Sequence, residues 1–226
     1  MRNGTASSAV HSLAPRCAAP SHTPSHLKSG WSVSVPSTCT PYGFSPKTLE
    51  GQYQPVQPVP FSHALHAGKL GLDCRYCHTS VESAAHASVP ATQTCMNCHT
   101  KVKGTSVVLE PLRRSYEADQ AIPWVKVHRL PDYVYFNHSA HVNSGVSCVS
   151  CHGRVDQMEV VRDDQPVTSM GWCLECHRQP VDRLRPVDKV TNLGWDQKTE
   201  MTLEQREQLQ KTFNIHPSEN CSTCHR

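Results

Sequence analysis

Most of the chain lacks the regular alternation of hydrophobic and polar positions that predicts long helices or strands. One helix is indicated near the C-terminus, where Thr202-Leu-Glu-Gln205 has the sequence of a capping box and Leu209 and Phe213 follow at helical spacing. Residues 122–128 predict an edge strand or an extended segment, and the Pro-rich residues 52–60 predict an extended one. No window approaches roughly 18 consecutive apolar residues, so no transmembrane helix is predicted.

The composition points away from a large apolar core. Only 37% of the 226 residues are hydrophobic and 6% are aromatic, whereas the chain has 12 Cys and 15 His. This combination is typical of a protein organised around a metal or a cofactor. Charged residues make up 18%, which is not the composition of a highly charged disordered chain. The length suits one ordinary domain or two small ones.

Ten of the cysteines belong to five copies of the pattern Cys-x-x-Cys-His, here numbered motifs 1 to 5 along the chain. The pattern is the attachment site of c-type haem, in which two thiols bond to the porphyrin and the adjoining His becomes the proximal iron ligand. Zinc knuckles would pair in twos without a His after each copy, and a disulfide scaffold would leave the five histidines unexplained. The predicted attachment residues are Cys74, Cys77, Cys95, Cys98, Cys148, Cys151, Cys173, Cys176, Cys221 and Cys224, and the predicted proximal ligands are His78, His99, His152, His177 and His225.

The sixth ligand of each iron distinguishes an electron carrier from a catalyst, because an open position permits chemistry on a small molecule. Beyond residue 60, seven histidines lie outside the motifs, which is enough for all five irons. We expect His63, His66, His138 and His141 to be distal ligands, and the further candidates are His86, His128, His216, Met158 and Met170. A distal Met would raise the reduction potential of its haem. The supply of ligands favours electron transfer.

The distal candidates occur in a duplicated unit. Phe-x-His-x-x-His is found at residues 61–66 and again at 136–141, each time followed by two haem motifs. On one helical turn, residues i and i+3 share a face, so one turn can present two imidazoles. The predicted organisation is a first haem-pair unit (46–110), a linker (111–135), a second haem-pair unit (136–190), and a C-terminal helix with the fifth haem (191–226).

These patterns predict a mainly irregular fold with short α-helices, organised around five covalent haems. Such haems would lie close together, which suits a chain of electron hops. The repeated haem pairs resemble multihaem cytochromes c of class III and of the c7 type. Haem propionates would turn the formal charge of +3 into a negative one, about −2 in the oxidised protein, so a nucleic-acid partner is not expected.

The chain resembles the pentahaem cytochrome c subunit of alternative complex III, a bacterial quinol:electron-acceptor oxidoreductase. The similarity covers about residues 48–180 and is concentrated in residues 53–63, 73–78, 95–99, 124–141 and 170–177. It implies an electron-transfer subunit, not an enzyme on its own, at the periplasmic face of the bacterial inner membrane. The implied partners are an iron–sulfur subunit of the molybdopterin-oxidoreductase type and membrane subunits. The implied acceptor is a cytochrome c or a terminal oxidase.

The N-terminal segment departs from that family, whose members usually carry a membrane helix before the Pro-rich segment. Residues 1–45 contain neither such a helix nor a signal peptide. Because c-type haem is attached outside the cytoplasm, we expect these residues to be disordered or wrongly assigned, through an incorrect start or a shifted reading frame. Two alternative functions stay open: a soluble periplasmic multihaem electron shuttle, and a multihaem reductase with an open haem site.

Overall fold

The computed structural model of the chain describes residues 52–164 and 169–226. The α-helices of these residues are α1 (Cys74–Cys77), α2 (Thr92–His99), α3 (Glu110–Glu117), α4 (His138–Asn143), α5 (Val149–His152), α6 (Met170–Arg178), α7 (Gln197–Glu200), α8 (Leu203–Thr212) and α9 (Cys221–Cys224). A π-helical turn spans Ala64–Lys69, and 3₁₀ turns span Val107–Leu109, Val155–Gln157, Pro180–Arg183 and Val187–Lys189. The predicted fold class, short helices joined by irregular segments, is confirmed.

Every attachment motif lies on one of the short helices or extends one residue beyond it, and the helices are α1, α2, α5, α6 and α9. Side chains just before three of these helices satisfy the free backbone N–H groups of the first turn. Asp73 accepts from the backbone N–H of Arg75, Ser169 from that of Trp172, and Asn220 from that of Ser222. Local capping therefore begins these helices at the motifs, although each is too short to be stable alone.

The predicted C-terminal helix is confirmed as α8. Thr202 and Gln205 form both hydrogen bonds of the capping box. The apolar side chains predicted for this helix bury less surface than their helical spacing suggests, since Phe213 remains 47% exposed. The buried residue of α8 is Arg206, whose guanidinium donates to Asp182 across 2.6 Å and so attaches the helix to the turn Pro180–Arg183.

Residues 122–128 belong to no strand, so the edge-strand alternative of the prediction is wrong. The backbone N–H of Trp124 donates to the carbonyl of Ile122 across 2.8 Å, which makes a tight turn at Pro123. The side-chain amide of Gln57 donates to the carbonyl of Val125 and accepts from its N–H, each across 2.9 Å. This side chain takes the place of a neighbouring strand. Elsewhere in the described residues, β-pairing is limited to the isolated bridges Val134–His225 and Val146–Leu184.

The apolar core of the described residues consists of small clusters. One cluster joins Val59, Met96, Leu112 and Ile122, with Trp124 packed against it. A second joins Val81, Val142 and Val190, with Ala87 and Cys148 at its edge. Clusters of this size bury little apolar area, which agrees with a fold that depends on its cofactors for much of its core.

Several sequence predictions concern parts that the structure leaves undescribed or does not test. The predicted disorder or misassignment of residues 1–45 lies outside the described residues, as do Cys17 and Cys39. Within the described ranges, no helix has the length and apolarity needed to cross a membrane. The boundaries of the two haem-pair units stay a prediction.

Gly68 allows the turn Ala64–Lys69, which presents His66, to pack against residues 155–157. A Cβ at Gly68 would overlap the carbonyl oxygen of Asp156. We expect Gly68→Ala to lower the free energy of unfolding by about 1–3 kcal/mol, because the turn would have to move away. Thermal unfolding of the holoprotein measures this. The matched control is Gly171→Ala in α6, where the nearest atom lies 3.9 Å from the added Cβ and stability should be unchanged or slightly higher. Equal stability of the two variants would contradict the close packing of Gly68 against the carbonyl of Asp156.

Candidate haem sites

Seven histidines present their Nδ1 atom to a backbone carbonyl oxygen. The pairs are His66 with Ser62, His78 with Ser88, His99 with Val102, His138 with Ala85, His141 with Asn137, His177 with Ser218, and His225 with Tyr133, at 2.7–3.3 Å. A carbonyl can only accept, so Nδ1 carries the proton and Nε2 keeps its lone pair. This is the state of an imidazole that binds a metal through Nε2 with its other nitrogen held by a hydrogen bond.

Three histidine pairs have the separation expected of two imidazoles on opposite sides of one iron. The ring centroids are 6.2 Å apart in His66–His99, 6.3 Å in His138–His152 and 6.2 Å in His141–His177. A metal–imidazole bond is about 2.0 Å long and the ring centroid lies about 1.1 Å behind the ligating nitrogen, so an intervening iron places the centroids about 6.2 Å apart. Each pair joins a predicted distal ligand to a motif histidine. The donor set therefore fits c-type haem.

The duplicated Phe-x-His-x-x-His units have the same geometry. Phe61 meets His63 edge-on at 4.9 Å and stacks on His66 at 4.4 Å. Phe136 meets His138 edge-on at 4.8 Å and stacks on His141 at 4.4 Å. One aromatic ring thus orients both imidazoles of a turn, which explains the aromatic residue at the same position in both units.

His63 is the one histidine of the two duplicated units that is not part of these three pairs. Burial, with smaller contributions from His78 and His66, lowers the pKa of His63 to about 4. Because His78 contributes to this shift, His63 lies near the histidine of motif 1. The Nδ1 atom of His63 is buried without a hydrogen-bond partner among the described residues, unlike that of His138 at the equivalent position of the second unit.

Burial keeps several of these imidazoles neutral. It lowers the pKa of His141, and together with the neighbouring His128 and His138 it lowers the pKa of His152 to about 3. A histidine must be deprotonated at the ligating nitrogen to bind iron, so at neutral pH these side chains are in the ligand form. Ligation itself stays a prediction for each histidine named.

Two family comparisons agree with this geometry. The family described as cytochrome c7 and related cytochrome c matches residues 59–113, and the family described as cytochrome c552 matches residues 117–222. The chain is a multihaem cytochrome c. Covalent c-type haem is the cofactor that these two families imply.

A curated relative of the cytochrome comes from Nitratidesulfovibrio vulgaris (strain Hildenborough). It is named "Menaquinone reductase, multiheme cytochrome c subunit" and is 33% identical over 100 residues. The similarity covers 44% of this chain and 47% of the relative, so the chain matches about half the length of that protein.

The remaining candidate ligands of the cytochrome have varied surroundings. His86 and His216 are exposed, and Nε2 of His216 lies 3.1 Å from the side-chain oxygen of Asn214. His128 packs edge-on against His152 at 4.4 Å, behind the ring that faces His138. Met158 is buried, whereas Met170 is 64% exposed. The nearest described ring to His225 belongs to Tyr133, at 5.9 Å. The sixth ligand for motif 5 is therefore not defined by a histidine pair within the described residues.

A cavity of about 320 Å³ lies beside motif 3 and is lined in part by Arg154, Arg183, Arg185 and Asp196. Arg185 is 2% exposed and donates to the carbonyl of Asn192 and the side-chain oxygen of Gln197. Arg154 forms an ion pair with Asp156 at 2.6 Å, so part of the positive charge beside motif 3 is neutralised.

Sequence patterns missed the backbone atoms that hold the motif histidines. The carbonyls of Ser88, Ser218 and Tyr133 accept from His78, His177 and His225. No residue type is required to supply a carbonyl, and the partners are 10, 41 and 92 positions away. No sequence signal could therefore have identified them.

Proposed function

We propose that the cytochrome carries electrons through five covalent haems as the periplasmic subunit of a quinol-oxidising membrane complex of the alternative complex III type. In this proposal, electrons arrive from an iron–sulfur subunit of the molybdopterin-oxidoreductase type. They leave to a cytochrome c or a terminal oxidase. Membrane subunits would hold the cytochrome at the periplasmic face of the inner membrane.

The observation that supports an electron carrier most strongly is the set of three histidine pairs at 6.2–6.3 Å. An iron with an imidazole on each side has no position left for a substrate, which favours electron transfer over catalysis. When bound, c-type haem supplies one-electron chemistry, because its iron alternates between the ferric and ferrous states.

The side chains of the cytochrome hold and tune rather than react. The motif thiols would attach the haems and the histidines would hold the irons, while the carbonyls that accept from Nδ1 fix the orientation of the imidazole rings and increase their basicity. The low polarity of each buried site and the charges near it then set how readily the haem there accepts an electron.

The name of the relative favours a second candidate function, in which electrons flow towards a quinone. That protein is named as part of a menaquinone reductase, so its complex delivers electrons to a quinone. A series of carriers conducts both ways, and the direction follows the potentials of its partners. Quinone reduction is therefore the alternative activity for the complex that contains this cytochrome.

The test is a native gel of detergent-solubilised membranes run beside the soluble fraction and stained for haem. We expect a haem band in a large membrane assembly, and the excised band should oxidise a quinol. Reduction of a quinone by that band, without quinol oxidation, would support the alternative direction and contradict ours. A haem band of about the mass of the chain alone in the soluble fraction would contradict the subunit assignment and support a free shuttle.

A further inference from the structure

We propose that the five attachment motifs form an unbranched spatial series in the order 2–1–3–4–5, so that motif 1 joins the two haem-pair units and motifs 2 and 5 are the ends. The inference rests on the proposed multihaem function and extends it. It differs from the order along the chain, in which motif 2 would join the units and motif 1 would be an end.

Motifs 1 and 2 are in contact. The side-chain amide of Asn97, inside motif 2, donates to the hydroxyl of Tyr76, inside motif 1, across 3.2 Å. The turn that presents His63 and His66 faces both motifs, since His66 pairs with His99 and His63 lies near His78.

Motif 1, rather than motif 2, meets motif 3. The segment that follows motif 1 supports the predicted distal ligand of motif 3, because the carbonyl of Ala85 accepts from both the backbone N–H and the Nδ1 of His138.

The same segment supports the helix that carries His138. Ser139 donates its N–H to the carbonyl of Ala84, and the side chain of Asn143 donates to the carbonyl of Glu82. Val81 and Val142 pack together with Cys148 at the edge of their cluster. Residues 81–85 therefore connect motif 1 to motif 3 directly.

Motifs 3 and 4 share α4, whose His138 pairs with His152 and whose His141 pairs with His177.

Motif 4 then meets motif 5. His177 donates to the carbonyl of Ser218, and Arg178 forms an ion pair with Glu219 at 2.9 Å, both just before motif 5. The carbonyl of Cys224 accepts from the N–H of Tyr135, which precedes the Phe136 that stacks on His141.

Exposure agrees with motifs 2 and 5 as the ends. Among the ten motif cysteines, all of which are described, Cys98 and Cys221 are exposed and the other eight are partly covered. These two belong to motifs 2 and 5. Electrons would therefore enter or leave the cytochrome at these ends, through partners that dock beside motif 2 and beside motif 5.

The test exploits the electrostatic effect of one reduced haem on the next, which falls with distance. In His63→Met and His66→Met, haem 1 or haem 2 becomes reduced at higher potential than in the wild type. A redox titration of the purified holoprotein, followed by NMR of the haem methyl signals, shows which other haems shift as the altered one is reduced. His138→Met, which marks haem 3, is a third variant in case one of the first two fails to fold.

The series 2–1–3–4–5 predicts that reduction of the altered haem shifts the potentials of two other haems in His63→Met and of one in His66→Met. In His138→Met, it shifts the potentials of haems 1 and 4. The chain order predicts the reverse for the first two variants, and haems 2 and 4 for the third. Any of the shifts that the chain order predicts would overturn the proposal. A variant in which no haem changes its reduction potential would overturn it too. Because the titration uses the isolated cytochrome, its outcome is separate from the membrane test of the proposed function.

Discussion

Replacing His141 with Met should raise the reduction potential of one haem by on the order of 0.1 V and leave those of haems not adjacent to it nearly unchanged. His141 stacks on Phe136, donates from Nδ1 to Asn137 and lies 6.2 Å from His177. A thioether donates less electron density to ferric iron than an imidazole does, so the ferrous state becomes relatively more stable. A spectroelectrochemical titration of the holoprotein measures the shift.

The matched control is His216→Met. His216 is exposed and its Nε2 lies 3.1 Å from Asn214, so the substitution should move no potential. If both variants gave the wild-type titration curve, His141 would not be an axial ligand. If His216→Met alone raised a potential, the exposed histidine would be the ligand instead.

Removing both thiols of motif 3, in Cys148→Ala with Cys151→Ala, should prevent the folded cytochrome from accumulating. Cys148 lies at the edge of the cluster formed by Val81, Val142 and Val190. Small clusters of this kind contribute only a few kcal/mol, whereas a domain is stable by about 5–15 kcal/mol in total. Because the clusters contribute so little, we expect most of the free energy of unfolding near motif 3 to depend on the haem attached there. Haem-stained gels of periplasmic and membrane fractions measure the yield.

The same pair of substitutions in motif 5, Cys221→Ala with Cys224→Ala, provides the comparison. Motif 5 is near the chain end and Cys221 is exposed. We expect this variant to accumulate with one haem fewer and otherwise unchanged spectra. Equal yields of the two variants would contradict a structural role for the central haem.

The parts of the site that could be predicted from sequence are those determined by residues close together along the chain. Each Cys-x-x-Cys-His motif is local, and so is the spacing of His63 and His66 on one turn. The capping box of Thr202 and Gln205 is local too, and it forms as expected.

The parts that could not be predicted depend on contacts between distant segments. Nothing in the spacing selects His66 rather than His63 as the partner of His99, since both lie on the same turn. The hydrogen bonds from His138 to the carbonyl of Ala85 likewise join residues from different repeats. These choices are made by packing and by backbone hydrogen bonds, which impose no pattern on the residue types.

The number of covalent haems is the central claim, because the histidine pairs, the spatial series and the proposed function all depend on it. Intact-mass spectrometry of the native cytochrome under denaturing conditions tests it directly, since thioether-bound haem stays on the chain while zinc or loosely bound haem is lost. We predict a mass equal to the mature polypeptide plus five haems. A mass lacking one or more haems, or that of the polypeptide alone, would contradict the account.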